Sequence, residues 1–120
     1  MKSHEIVTHV ANNLGVHPAH IHQVIDKHMS EGMKDVQHGD TIMFYKLLNH
    51  NSCFVHFVTA DSPLNLVSSL TYFDHMLKEN GIHNIYLNTK SKRLRTALNS
   101  VGIHLTPSDN PSYKLMGILV

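Results

Sequence analysis

The chain has no tryptophan, a single cysteine and few charges, and each shortage removes a class of protein. With Cys53 alone no disulfide can close within the chain, so a cystine-stapled scaffold is excluded. Cys53 stands in an apolar run, where a buried and inert thiol is expected, and the same shortage points to an intracellular setting. Charged residues make up only 16% of the 120, and 10 Lys plus Arg balance 9 Asp plus Glu. A formal charge of +1 exerts no long-range pull on nucleic acid or on an anionic membrane. No apolar run reaches the roughly 18–20 residues that span a bilayer. The opening MKSHEIVTHV lacks the apolar centre of a cleavable signal peptide, so secretion by that route is not expected. Internal repeats, low-complexity tracts and linkers are also missing.

What is present is enough apolar residue, 42%, for one globular core within one domain over residues 1–120. Histidine is the one residue in excess, at 12. The near-neutral balance therefore holds only at neutral pH. Below about pH 6 exposed imidazoles protonate, and the charge climbs from +1 towards about +13.

The stretch from Ser52 to Gly102 organises the rest. SCFVHFVTAD sets Phe54, Val55, Phe57, Val58 and Thr59 in close succession, as in a strand buried on both faces. The period then changes. Leu66, Leu70, Phe73 and Leu77 recur at helical steps, with Ser62 as N-cap, Pro63 in the first turn and Asn80-Gly81 at the close. Ile85 to Leu87 make a short strand, and Leu94, Ala97, Leu98 and Val101 mark a second amphipathic helix ending at Gly102. Strand, helix, strand, helix implies a right-handed crossover and a parallel strand pair.

Upstream, residues 3–14 predict a helix with Ser3 as cap, Ile6, Val10 and Leu14 on one face and Gly15 at the end. Pro18 opens a second helix with Ile21, Val24, Ile25 and Met29 as its stripe. KDVQHGD reads as a polar turn around Gly39-Asp40, and TIMFYKLL as a strand that forms a hairpin with SCFVHFVTA across Asn49-His50-Asn51. Beyond Gly102 a strand or loop leads to the loop Pro107–Pro111 and a last strand from Tyr113 to Leu119. The fold class expected is α+β with an α/β-like core, a mixed sheet carrying a strand-helix-strand crossover.

Two helices, an antiparallel hairpin, a crossover, a short helix ending in Val-Gly-Ile and a terminal antiparallel pair resemble the GCN5-related N-acetyltransferase (GNAT) fold, over about residues 4–119. NIYLNTKSKRLRTALNSVGIHL is similar to the family's fifth strand, fourth helix and the corner that follows. The C-terminal half also resembles GNAT-like proteins of short-tailed bacteriophages, some of them virion-associated. The family resemblance implies acetyl-coenzyme A between the splayed fourth and fifth strands. The pyrophosphate would lie on a (Gln/Arg)-x-x-Gly-x-(Gly/Ala) loop at a helix N-terminus, where free amides and the helix dipole receive an anion. Any cofactor contact would then fall near Thr59, Ala60 and Asn88.

The chain departs from that pattern twice. Thr59-Ala60-Asp61-Ser62-Pro63-Leu64-Asn65-Leu66 has no glycine and no cation; Asp61 adds a negative charge and Pro63 removes a donor. Where many members place a proton-donating tyrosine on the fourth helix stand Leu98 and Asn99, and neither delivers a proton. A non-catalytic GNAT-like structural or interaction module is therefore expected, without catalytic residues, cofactor or metal, cytoplasmic or virion-associated, forming a homo-oligomer or joining a larger protein assembly. The alternatives are an acetyltransferase with an atypical cofactor loop and a small helix-turn-helix nucleic-acid-binding protein.

Other groupings are weaker. His17, His20, His22 and His28 only partly meet the i, i+3/i+4 spacing of two zinc ligands and lack a completing carboxylate or cysteine. ANNLGVHPAHIHQVI looks like the middle of a helix-turn-helix, yet Gln23 and Lys27 are its only base-reading candidates. The basic run Lys90 to Arg95 reads as a solvated helix start. Ser69 and Lys78 are expected on the surface. Nothing in the sequence brings Asp61, Asp74 and Glu79 together, and no Gly-x-Ser-x-Gly motif is present. The apolar final strand is expected near a sheet edge or beside the crossover, where an open edge would invite self-association.

Overall fold

The computed structural model describes all 120 residues. Helix α1 runs Ser3–Leu14 and α2 Pro18–Ser30. Gly15 turns between them with φ 71°, a left-handed conformation that costs glycine little. Ser3 is the first helical residue rather than the cap: Lys2 stands at the cap, and its N–H is covered by the Glu5 carboxylate. His17 caps α2 by accepting the Ala19 N–H through Nδ1 at 3.1 Å, just ahead of Pro18 at the first helical position.

Strands β1 (Lys34–His38), β2 (Thr41–Asn49) and β3 (Ser52–Thr59) form an antiparallel meander. Helix α3 (Pro63–Glu79) crosses to β4 (Asn84–Leu87), which pairs in parallel with β3. Helix α4 (Lys92–Ser100), β5 (Leu105–Pro107) and β6 (Leu115–Ile118) complete a six-stranded mixed sheet of order β1-β2-β3-β4-β6-β5. The fold is α+β, as expected. Ser62 and Ser91 cap α3 and α4, accepting from Asn65 N and Leu94 N.

Two expectations are corrected. KDVQH is a strand, not a turn: it is the outer edge of the sheet, where polar side chains are the rule, and its one apolar residue, Val36, lies opposite Met43. The final strand lies beside the crossover strand β4, one of the places expected, but it has no open edge, because β6 sits between β4 and β5 and pairs antiparallel with both. Gly117 makes that interior place available. A Cβ there would come within 2.7 Å of Ile103 Cγ2.

The core divides across the sheet. On one face α3 and α4 bury Leu66, Leu70, Phe73, Leu77, Leu94, Ala97 and Leu98 against Met43, Cys53, Val55, Ile85 and Leu87. On the other, α1 buries Ile6 and Val7 against Ile42, Phe44 and Val58. Helix α2 has no buried residue; Ile21, Ile25 and Met29 are only half-covered.

Candidate functional site

Two places on this frame hold chemistry. The first is the β3–α3 connection. Asp61 is buried there and accepts from Thr41 Oγ1 at 2.6 Å, Ser69 Oγ at 3.0 Å and the Asp40 N–H at 3.2 Å. Thr59 Oγ1 lies 2.6 Å from Thr41 Oγ1 and accepts the Asp61 N–H at 3.0 Å. Since Thr41 gives its proton to Asp61, Thr59 must give its own to Thr41, and the three residues close a ring of hydrogen bonds. Gly39, with φ 56°, brings the β1–β2 turn against this ring; a Cβ there would stand 3.1 Å from Ser69 Oγ and 3.3 Å from the carboxylate.

Ser69 is therefore buried, not on the surface: the turn folds over α3 and seals it. His38 belongs to the same arrangement, with Nδ1 at 3.1 Å from Ser69 Oγ and its ring stacked on Tyr72. The connection also has few amides left for an anion. Ala60 N bonds Asp40 O, Asp61 N bonds Thr59, Asn65 and Leu66 bond Ser62, and Pro63 has none; only Ser62 and Leu64 remain. Arg93, on α4, gives its guanidinium to the Asp61 carbonyl. The neighbouring cations Lys90, Lys92 and Arg95 are exposed, as a solvated helix start requires.

The second place is a cleft of about 560 Å³ on the α1/α2 side. β3 and β4 pair only from Ser52–Asn84 to Phe54–Tyr86, after which β3 runs on to Thr59 paired with β2 alone. Helix α2 roofs the gap, and Phe44, Phe54, His56, Val58 and Asn88 form its floor and rim. The far wall is held by Tyr113, stacked on Phe54 at 5.0 Å, and by Lys114 N donating to Asn88 Oδ1 at 2.7 Å. Tyr86 packs against Tyr113 at 5.5 Å, its phenol donating to Asp109 at 2.8 Å; this bond raises the Tyr86 pKa above 10.0.

Of the sequence candidates, Thr59 and Asn88 lie at the diverging ends of β3 and β4, and the Ala60 amide is already engaged. The histidine cluster disperses: His17 caps α2, His22 approaches Thr8 of α1, and His20 and His28 open onto the cleft. No three of His, Cys, Asp and Glu converge on a point that could hold a metal ion. Sequence reasoning missed His56. It follows Val55 in an apolar strand, and only the divergence of β4 opens its face to α2. Although solvent reaches the ring, desolvation by the cleft walls, and then the proximity of His28, lower its pKa below 6.5. Leu98 is buried in the α3/α4 core and Asn99 is exposed. Burial pushes the Cys53 thiol up to about 11, which keeps it protonated and unreactive near neutrality. No family model, curated protein or solved structure matches the chain.

Proposed function

We propose that the chain is a GNAT-like domain without transferase activity, a structural or interaction module that self-associates or docks into a larger assembly such as a bacteriophage virion. The ring around Asp61 carries this reading. An acetyl-coenzyme A pyrophosphate needs free amides and positive potential at the start of α3; here a buried carboxylate and its three donors fill the space behind that start. The residues do not fit the cofactor. The resemblance itself rests on the order of elements and on a sheet whose one parallel pair separates after three residue pairs.

Support for a docking role comes from the surface. Leu47, Ile118 and Val120 are exposed by 62%, 59% and 94% at one end of the sheet, in a chain with only 16% charged residues. Contact through that end replaces pairing along β6, whose two edges are already used. No helix is long and apolar enough to cross a membrane.

Calorimetric titration with acetyl-coenzyme A at low ionic strength tests the first half, with no binding expected. A dissociation constant in the low micromolar range, about −8 kcal/mol, would overturn it in favour of an acetyltransferase with an atypical loop. Light scattering tests the second half. A particle larger than the 13.6 kDa chain is expected, and a monomer at every concentration, with no assembly partner retained, would count against docking.

A further inference from the structure

We propose that the cleft beneath α2 binds a small amphipathic monocarboxylate, an aliphatic or arylaliphatic acid whose hydrocarbon lies on Ile21, Ile25, Phe44 and Phe54 and whose carboxylate sits between His28 and His56. This goes beyond the reading above and does not depend on it.

The lining supplies both halves of such a ligand. Eight of its 12 residues are apolar, and about 560 Å³ falls within the usual size range of small-molecule sites. Among the other four, three are histidines and one is Asn88; no Asp or Glu faces the space. A protonated amine would find no carboxylate to pair with, and a neutral apolar molecule would offer the imidazoles nothing that water does not. An anion satisfies both.

His28 from α2 and His56 from β3 line the same cleft, and a carboxylate between them would meet two imidazoles and no competing acid. Each of the elements around His56 has a part. From α2 the titratable groups are His20 and His28. From β2, Phe44 lies against the ring at 6.4 Å, with Lys46 one position further along the same face, opposite Phe54. The end of β4 offers only the neutral Asn88, the connection before β6 lays Tyr113 on Phe54, and α1 adds no lining residue. A bound carboxylate would favour protonation of His56 and His28, so binding takes up a proton and strengthens as pH falls.

The test uses the full chain and three probes of equal chain length: octanoate, octanol and octylammonium. Titrations are followed by calorimetry and by the imidazole resonances of His28 and His56. Octanoate should bind more tightly than octanol at pH 6, weaken on the order of tenfold by pH 8, and shift both imidazole titrations upward. Octanol should show no such pH dependence, and octylammonium should bind worst. His56→Gln and His28→Gln should each bring octanoate towards the octanol level and reduce its dependence on pH. Octanoate binding no tighter than octanol, or unaltered in both variants, would overturn the proposal. That result would leave the Asp61 ring, and the acetyl-coenzyme A titration that tests it, untouched.

Discussion

The two faces of the sheet are covered by two helices each, and they are built to different standards. On the α3/α4 face every residue of the helical stripe Leu66, Leu70, Phe73 and Leu77 is buried, and 15 buried residues join in one cluster. On the α1/α2 face six do, and α2 contributes none of them. The cause lies in the strands. Val55, Ile85 and Leu87 reach the α3/α4 side beneath a crossover that must pack to exist, whereas on the opposite side only half-covered α2 lies over Phe54 and His56, where the pairing of β3 with β4 ends. Cores that exclude water stabilise; gaps floored by aromatic and ionisable groups bind. The sealed face holds the larger core, and the other face keeps a cleft.

Truncating a core residue on each side is the strongest way to break this comparison. Phe73→Ala should cost about 3–5 kcal/mol in denaturant unfolding, whereas Ile25→Ala on half-covered α2 should cost about 1 kcal/mol. Equal losses would mean that α2 is as firmly seated as α3. Next in size is the ring at the start of α3. Asp61→Ala removes the acceptor of Thr41 and of the Asp40 N–H, leaving Ser69 only the His38 carbonyl, and should cost about 2–4 kcal/mol, with Ser69→Ala costing about 1–2 kcal/mol. A neutral Ser69→Ala would contradict its burial in the ring.

The smallest effect is on pH dependence. The folded chain holds the His56 pKa below 6.5, so the unfolded chain binds more protons as pH falls. This contribution to stability is complete above about pH 6.5 and is lost as pH drops through the lower folded value. His56→Phe should therefore flatten the decline of stability between pH 7 and pH 5. A slope identical to that of the parent chain would remove His56 from the account.

Local pattern made some of this legible. Ser62, Pro63 and Gly81 bound α3 as their residue types require, and Gly15 and Gly102 do the same for α1 and α4. The rest depends on contacts distant in sequence. Lys34–His38 carries no alternation of apolar residues because an edge strand needs none, so only its pairing with β2 reveals it. Ser69 lies next to the apolar stripe and is buried because residues near 39 fold over it. Asp61 was visible as a charge in the wrong place for a phosphate, but its three partners come from Asp40, Thr41 and Ser69. His28 and His56 share a cleft although they lie on different elements. No spacing rule joins them.

Native-state hydrogen exchange, resolved by residue, tests the difference between the two faces most directly. Amides of α3 and the centre of β3 should exchange only through global unfolding, while those of α2 open with a free energy several-fold smaller. Equal protection in α2 and α3 would contradict the account, since the cleft would then be a rigid part of the core and not the open face of the molecule.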